Sequence, residues 1–386
     1  MLKSVQILHG VSRYEVFSVW EQALADGLRA LGIAASVVSV HDERRNRDSA
    51  ELGVGFNLVR QWSAPHNGNR HLCWLVDHPV YHALFFMPEC CGLTLDRDAC
   101  AVACVDRHWA EFGRELYGFP HMYFAPHFCV TTGFVSPGGG ERPGGVVFFG
   151  SIEDPQSFLN SLERDAGPLW PALRERLEAY EALRRRPPLD VFLLAAFRKL
   201  TADPQQVRIM MNAFFPAADG YFRCRGRVRL LQSIVRTPVH VFGLGAWDRL
   251  AFGPNILFHG PIPFADVPAV MAGARVLLNH TPAHAHGAHE RVFEALAAGC
   301  LVHSTTSEFL ASAVGTEAGI SFYDDVELSN VDDQLAALLA DPTGPERVVA
   351  GQAIVARDHA ARNRAQHLAE IHAERWSSSP PSVASP

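Results

Sequence analysis

Short, uninterrupted apolar runs recur along this chain with helix-length stretches between them, and no other feature narrows the possible folds as far. The first set is VQILHG (5–10), ASVVSV (35–40), GVGFNLV (53–59), HLCWLV (71–76), ACAVACV (99–105) and HMYFAPHF (121–128). A strand that is apolar on both faces needs cover on both, so these runs predict a parallel sheet with helices above and below it. Residues 14–31 read as an amphipathic helix opened by Ser12 and closed by Gly32. At 131–145 the composition breaks: TTGFVSPGGGERPGG places five glycines in residues 138–145 and reads as a linker. The alternation then restarts with VVFFGS (146–151), VHVFGLG (239–245), NILFHG (255–260), ARVLLNHT (274–281) and CLVHSTT (300–306). Residues 155–236 form a helix-rich insert in which Asp154-Pro155 supplies an N-cap and a proline at the first helical position. Within it LRERLEAYEALRRR (173–186) stops before Pro187-Pro188, and further helices are predicted at 327–340 and 344–375.

The expected organisation is therefore an N-terminal Rossmann-like domain over 1–130, the linker 131–145, and a C-terminal domain over 146–345 carrying the helical region 155–236. C-terminal helices over 346–376 and a disordered tail over 377–386 complete it. Doubly wound domains bind ligands at the carboxyl ends of their strands, here in a cleft between the two.

Charge and cysteine usage exclude several function classes. A net charge of −7 without an extended basic run argues against nonspecific nucleic-acid binding; RCRGRVR (223–229) is the one dense basic patch. There is no run of about 18 apolar residues, so no integral membrane segment is expected. MLKSVQILHG lacks the apolar core and cleavage site of a signal peptide. The eight cysteines form no CxxC pair, and adjacent Cys90 and Cys91 suit neither zinc nor a disulfide framework. Buried reduced thiols in a cytoplasmic protein are expected.

The stretch His280 to Thr306, HTPAHAHGAHERVFEALAAGCLVHSTT, reads as strand end, glycine-containing loop, short helix, glycine stop and strand. The helix starts near His289 and stops at Gly299, where glycine takes the left-handed cap. Val292, Phe293 and Leu296 share one side, while Glu290 and Glu294, one turn apart, share the other. Two like charges at that spacing cost roughly a few tenths of a kcal/mol. Two readings stay open on spacing alone. Glu290 faces the positive helix end and Arg291 pairs with Glu294; or Glu294 bonds sugar hydroxyls while the helix end holds phosphate.

HERVFEALAAGCLV is similar to the nucleotide-sugar motif of group 1 glycosyltransferases, which have the GT-B fold. It resembles most the branch of CgeB-like, spore-maturation-type proteins. The order around it agrees: FFGS after the linker, then FGLG, FHGPIPFADVPAVMAGARVLLN, the helix motif and GCLVHS. CWLVDHP and VACVDRHWAEFG resemble strand-end segments of the same branch. The resemblance is specific from about 239 to 310 and does not match 155–236.

It implies an α/β chain of the GT-B type, two doubly wound Rossmann-like domains facing a central cleft, with the donor site in the C-terminal one. Glu294 matches the carboxylate that binds the donor ribose. Gly287, Ala288 and His289 offer backbone N–H groups to the diphosphate beside Glu290 and Arg291. Gly260, Pro261 and Ile262 match the segment lining the nucleotide base. Phe242 to Gly245, with Gly243 and Gly245, and Gly150 with Ser151 form neighbouring loops. Two departures stand out. His286 occupies the position, eight before Glu294, where many group 1 enzymes carry a Glu near the transferred sugar. Ser151, Glu153 and Asp154 follow Gly150 where those enzymes often carry an Arg and a Lys. Phosphate charge then falls to the helix end, Arg291, His289 and an arginine from 223–229.

Other constellations have bland rivals. His280, His284, His286 and His289 fit no helix face and no zinc spacing, so they read as a lining of the loop and no metal is expected. Asp77-His78-Pro79 and Asp106-Arg107-His108 each follow a strand and offer a general base for the acceptor; an N-cap aspartate beside a solvent-facing histidine is the plain alternative. Of the two, Asp77 and His78 are favoured, with His286 as a third catalytic candidate. His9-Gly10 reads as backbone approach to ligand or as a plain turn, and GLG at 243–245 does not complete GxGxxG.

The leading expectation is a cytoplasmic glycosyltransferase moving a sugar from a nucleotide diphosphate donor to an unidentified acceptor, without cofactor. The resemblance leans toward retention of configuration, which His286 weakens. The rivals are a catalytically silent nucleotide-sugar-binding scaffold and a sugar-nucleotide epimerase.

Overall fold

The computed structural model describes residues 2–9, 15–39, 50–57, 70–87, 97–131, 133–134 and 145–376. Gly10, Ser12, Cys90, Cys91, most of the 131–145 segment and the tail from 377 lie outside them. The chain divides into two units, Met1–Thr132 with Val355–Pro386, and Gly133–Ile354.

The first unit runs β1 (Ser4–His9), α1 (Val16–Ala30), β2 (Ala34–Ser39), β3 (Leu52–Phe56), β4 (Arg70–Leu75), α2 (Ala83–Phe86), β5 (Cys100–Cys104), α3 (Arg107–Tyr117) and β6 (Met122–Phe124). All six strands are parallel, in the order β2-β1-β3-β4-β5-β6. LGVGF in β3 and CAVAC in β5 are buried at every position, as continuous apolar runs require.

The second unit is β7 (Val146–Phe149), α4 (Pro155–Ala166), α5 (Trp170–Glu181), α6 (Leu189–Leu200), α7 (Pro204–Ser233), β8 (Val239–Phe242), β9 (Ile256–Gly260), α8 (Val267–Gly273), β10 (Val276–Asn279), α9 (Glu290–Ala297), β11 (Leu301–Thr305), α10 (Glu308–Ala313), β12 (Ile320–Tyr323) and α11 (Val331–Ala340). Its six parallel strands follow the order β12-β11-β10-β7-β8-β9. Strand order reverses between β7 and β10, and the carboxyl ends of those two strands are where such sheets take ligands. β12 is not among the apolar runs of the sequence, because ISFY mixes polar and apolar residues.

Asp154 caps α4 by accepting from Gln156 N at 2.9 Å, as the Asp-Pro pair predicts. Phe148, Val239, Val241, Val276 and Leu278 from the strands pack with Leu230, Leu231 and Ile234 at the end of α7 and with Val331 and Leu335 of α11. Buried Asp332 fixes the turn from α7 to β8 by accepting from the backbone N–H of Val235, Arg236 and Thr237 at 3.2, 3.0 and 3.1 Å. Burial alone would raise its carboxyl. The bonds from Thr237 and Arg236 overcome that and hold it at about 2.

Two last helices, α12 (Gly344–Asp358) and α13 (Ala361–Trp376), follow. The sequence sets 346–376 apart as one block, whereas the structure splits it: α12 crosses the unit boundary and α13 packs on α1 of the first unit. The reason is close approach. A Cβ on Gly27 would lie 3.0 Å from Ala361 O and 3.2 Å from Ala365 Cβ. Buried Arg364 secures the junction by donating to Pro126 O at 2.8 Å and to His359 Nδ1 at 2.8 Å.

Candidate functional site

At the carboxyl end of β7 the segment Phe149-Gly150-Ser151 continues the sheet after the side-chain ladder has ended. Gly150 N donates to Phe242 O at 2.9 Å and Ile152 N to Leu244 O at 2.9 Å, while Ala246 N returns to Ile152 O at 3.0 Å. Gly243 N reaches Gly260 O at 3.0 Å. The sequence-predicted glycines Gly150, Gly243, Gly245 and Gly260 are thus brought together along the ends of β7, β8 and β9. Pro261 is exposed and Ile262 half-buried just beyond.

Two guanidinium groups converge on this edge. Arg227, from α7, donates to Ser151 O at 2.5 Å, and Arg291, from α9, donates to Phe149 O at 2.5 Å. A Cβ on Gly150 would meet the Phe148 ring at 2.9 Å and lie 3.4 Å from Arg227 Cζ, so the guanidinium rests directly over this glycine. Burial, then the like charges of Arg223 and Arg291, push Arg227 down to about 9. Its Nε is buried and has no hydrogen-bond partner among the described residues. Burial also lowers Arg291, against the attraction of Glu290. The basic charge that the sequence lacks after Gly150 therefore arrives from α7, 76 residues later. The RCRGRVR patch pointed to this segment. It could not single out Arg227, because the segment's approach to β7 is a tertiary fact.

His289 is the residue preceding α9, and Glu290 opens the helix with its positive end. The carboxylate of Glu290 contacts His289 Nδ1, and His289 Nε2 lies 2.6 Å from Arg291. Arg291 Nε also donates to His289 Nδ1 at 3.2 Å, so one guanidinium reaches both ring nitrogens. Burial, then Arg291 and Arg227, lower His289 accordingly. Arg291 thus serves Phe149 O and His289. Glu294, one turn on, is 1% exposed. Gly299 takes φ 85°, the left-handed stop expected of it.

His280 faces α7, where a Cβ on Gly226 would lie 2.5 Å from its Nε2. Its Nδ1 pairs with Tyr323 Oη at 3.0 Å, and that hydroxyl donates to Asn279 O at 3.0 Å. Nδ1 must therefore carry the ring proton. Nε2 is left buried and without a partner among the described residues. Burial, Arg227 and Arg229 push His280 down to about 3; burial, His289 and Arg291 do the same for His284. The His280, His284 and His289 imidazoles stay neutral near pH 7, so the positive charge beside them is arginine charge.

The loop before α9 leans on the start of α10. Ser307 Oγ donates to Gly287 O at 2.7 Å and Glu308 N to Ala285 O at 2.9 Å. His286 pairs with Glu308 at 3.1 Å. A carboxylate therefore stands beside the position where the motif lacks one, supplied by a residue that sequence spacing did not single out. On the sheet face away from Phe148, Phe149 stacks on Phe242 at 5.3 Å and Phe242 on His259 at 4.8 Å. This ladder next to Gly260 was also missed, since its members come from three strands.

Residues 225–370 match the model of a family described as glycosyl transferase-like. Among solved structures, T4 phage BGT in complex with UDP and Mn2+ is similar with a TM-score of 0.53 and 9% identity, covering 95% of this chain and 99% of that one. Sucrose-phosphate synthase from Thermosynechococcus elongatus gives 0.51 and 11%, covering 98% and 100%. A glycosyltransferase from Rickettsia africae ESF-5 gives 0.50 and 10%, covering 98% and 100%. No curated protein sequence matches the chain.

The fold is GT-B.

Both sheets of the GT-B chain carry residues singled out in the sequence, and they divide cleanly. All the donor candidates belong to the second unit, Asp77 and His78 to the first. Asp77 is exposed at the end of β4 and accepts from Asn57 Nδ2 at 2.7 Å. His78 is buried: its Nδ1 accepts from Val80 N at 3.2 Å and its ring packs on Trp109 and Phe112. That is a capping and packing position, which the Pro79 turn dictates. Asp106 is likewise the N-cap of α3, accepting from His108 N at 2.8 Å. Among the described residues no group of three or more His, Cys, Asp or Glu could hold a metal ion, and no helix is long and apolar enough to cross a membrane.

Proposed function

We propose that this GT-B chain transfers a sugar from a nucleoside diphosphate donor to an acceptor hydroxyl in the cytoplasm, and that it belongs with the CgeB-like branch its motif resembles. The observation that carries the donor site is the meeting of Arg227 and Arg291 at Gly150, at the topological switch of the second sheet and beside the start of α9. Two buried like charges, one with an unpartnered N–H, are stable there when a multiply charged anion neutralises them. A diphosphate fits that demand. The helix N-terminus adds its own N–H groups and partial charge.

Beside it, Glu294 accepts from the ribose hydroxyls, and Gly260, Pro261 and Ile262 with the Phe149–Phe242–His259 ladder face the base. As the glycosidic bond breaks, the negative charge developing on the leaving diphosphate gathers on Arg227, Arg291 and the helix end. T4 phage BGT holds UDP, which makes uridine nucleotides the first probes. The presence of arginine charge at Gly150 favours this over a silent scaffold. Slow release of nucleoside diphosphate from a bound donor is the outcome that separates them, and a changed sugar with donor alone would mark an epimerase.

Two substitutions test the site by calorimetry against a panel of UDP-, GDP- and ADP-sugars. Glu294→Ala should weaken donor binding about 10–100-fold while the chain still melts cooperatively, since hydrogen bonds to a charged group contribute about 1.5–3 kcal/mol. Glu294→Gln, which keeps the side-chain volume, should weaken it less. Unchanged affinity in both would remove Glu294 from the site. Arg227→Met should weaken UDP itself, without sugar, by a similar factor and make the remaining binding less dependent on salt. Equal affinity for UDP in the variant and the parent would move the diphosphate elsewhere.

A further inference from the structure

The second sheet ends on a strand that is left open. β9 closes the order β12-β11-β10-β7-β8-β9, and among the described residues no strand pairs on its outer side. Val239 N donates to Asn255 O at 2.9 Å, so the backbone groups of Asn255 turn toward β8. Those groups alternate along a strand, so Leu257 also turns toward β8 while the N–H and C=O of Phe258 turn outward. Leu257, Phe258 and His259 are all exposed, Leu257 at 38% and Phe258 at 36%.

An open edge is a template for pairing with another chain, and proteins guard it with charge, proline or shortness. Of the other edge strands, β6 is three residues long, β12 is followed by Asp324-Asp325, and β2 carries only Ala, Ser and Val. β9, Ile256–Gly260, has no charged residue and no proline, and it bears large side chains on both faces. On one face Phe258 packs with Trp247 at 4.4 Å and with Phe252 at 5.4 Å. On the other, His259 lies against Phe242, and its Nε2 is 2.8 Å from His240 Nδ1.

Such a strand is its own complement. In an antiparallel pair about a two-fold axis at Phe258, each Phe258 N–H donates to the Phe258 C=O of the other copy. Leu257 then stands opposite His259 of the second copy, on the same face and in a position without backbone bonds, where side chains approach closest. Both outward backbone groups and the exposed apolar atoms are satisfied by one symmetric contact. An edge that simply stays wetted is the plain alternative, and the mass in solution separates the two.

We propose that β9 docks a second copy of this chain, antiparallel about a two-fold axis at Phe258, so that the second sheet continues from one copy into the other. Leu257 of each copy covers His259 of the other, at the outer end of the Phe149–Phe242–His259 ladder. The second copy thereby completes a face that one copy leaves open. A single strand and its flanking side chains form a small contact beside the roughly 800 Å² per partner of a stable pair. The dimer therefore exchanges with monomer. Nucleotide plays no part in this contact, so the donor reading stands or falls separately.

The test is sedimentation velocity on the full chain from about 1 to 200 µM, the range in which a small interface exchanges. The mass should rise with concentration toward twice 42.4 kDa. Phe258→Lys sets two like charges face to face across the axis and should weaken association about tenfold or more. Leu257→Lys should also weaken it while leaving the Trp247–Phe258 contact and the melting temperature in place. The double variant Leu257→Cys/His259→Cys should become a covalent dimer under mild oxidation, with the parent chain as control. Opposed residues without backbone bonds have Cα atoms about 4.5 Å apart, within disulfide reach. A parent chain that stays monomeric at the top of that range overturns the inference. So does a dimer that keeps its strength in both lysine variants, or a cysteine variant that does not cross-link beyond the parent.

Discussion

Between pH 6.5 and pH 4 the folded chain should lose stability steeply, and in both units. His280 is held at about 3, and His303 and His359 at about 4, in each case first by burial. His280 and His303 lie in the second unit, His359 in the first. Their unfolded-state value is about 6.5. Below it the unfolded chain takes up protons that the folded chain refuses, so acid favours unfolding. The stability each histidine contributes by staying neutral is fully present above pH 6.5 and declines as pH falls toward the folded value. Each adds a slope of about 1.4 kcal/mol per pH unit within that window. Urea titrations at pH 7, 6, 5 and 4, followed by circular dichroism, measure the slope directly. A stability that is flat between pH 7 and pH 4.5 would show that these rings are not held neutral. His303→Gln should remove about one proton's worth of slope, and only from the transition of the second unit.

Gly245→Ala should be the most damaging single methyl group in the second unit. The loops after β7 and β8 run side by side, bonded through Ile152 and Leu244 and through Ala246 and Ile152. A Cβ on Gly245 would sit 2.0 Å from Ile152 O, and one on Gly243 would sit 2.2 Å from Gly150 O. Both obstacles are backbone, so no rotamer change relieves them. Forcing the loops apart breaks their bonds and shifts Ser151, the residue on which Arg227 rests. The expected cost is about 3 kcal/mol, which lowers the melting temperature by on the order of 10 °C for a unit of this size. UDP affinity should fall as well, because the arginine anchor moves. Thermal melts of Gly245→Ala beside a control at solvent-open Gly273, where no atom lies within 4 Å of an added Cβ, decide the matter. Equal melting temperatures would mean that the loops separate freely.

Much of this fold can be read from pattern alone, for a physical reason. Strands covered on both faces cannot carry polar residues without leaving them buried, so VQILHG, ACAVACV and VVFFGS announce themselves. β12 escapes because ISFY is at the edge of its sheet, where that constraint relaxes. At the site, the helix motif fixes Glu290, Arg291 and Glu294 in register, since a helix turns local spacing into geometry. Arg227, Glu308 and the Phe149–Phe242–His259 ladder reach it only through folding. His78 shows the converse: a strand-end histidine whose following proline turned it into a cap.

The return of α13 to α1 gives this chain an unusual order of assembly. The second unit is one continuous stretch, Gly133–Ile354, held between the two pieces of the first. During synthesis it can be completed while the first sheet still lacks the helix that covers α1. Chains normally mature from the N-terminus onward. Here the earlier-made half waits for the later-made one, and α13 completes the first unit by packing on α1. A chain stopped near residue 354 would therefore present an exposed α1 face, a natural handle for the quality-control machinery that recognises incomplete proteins.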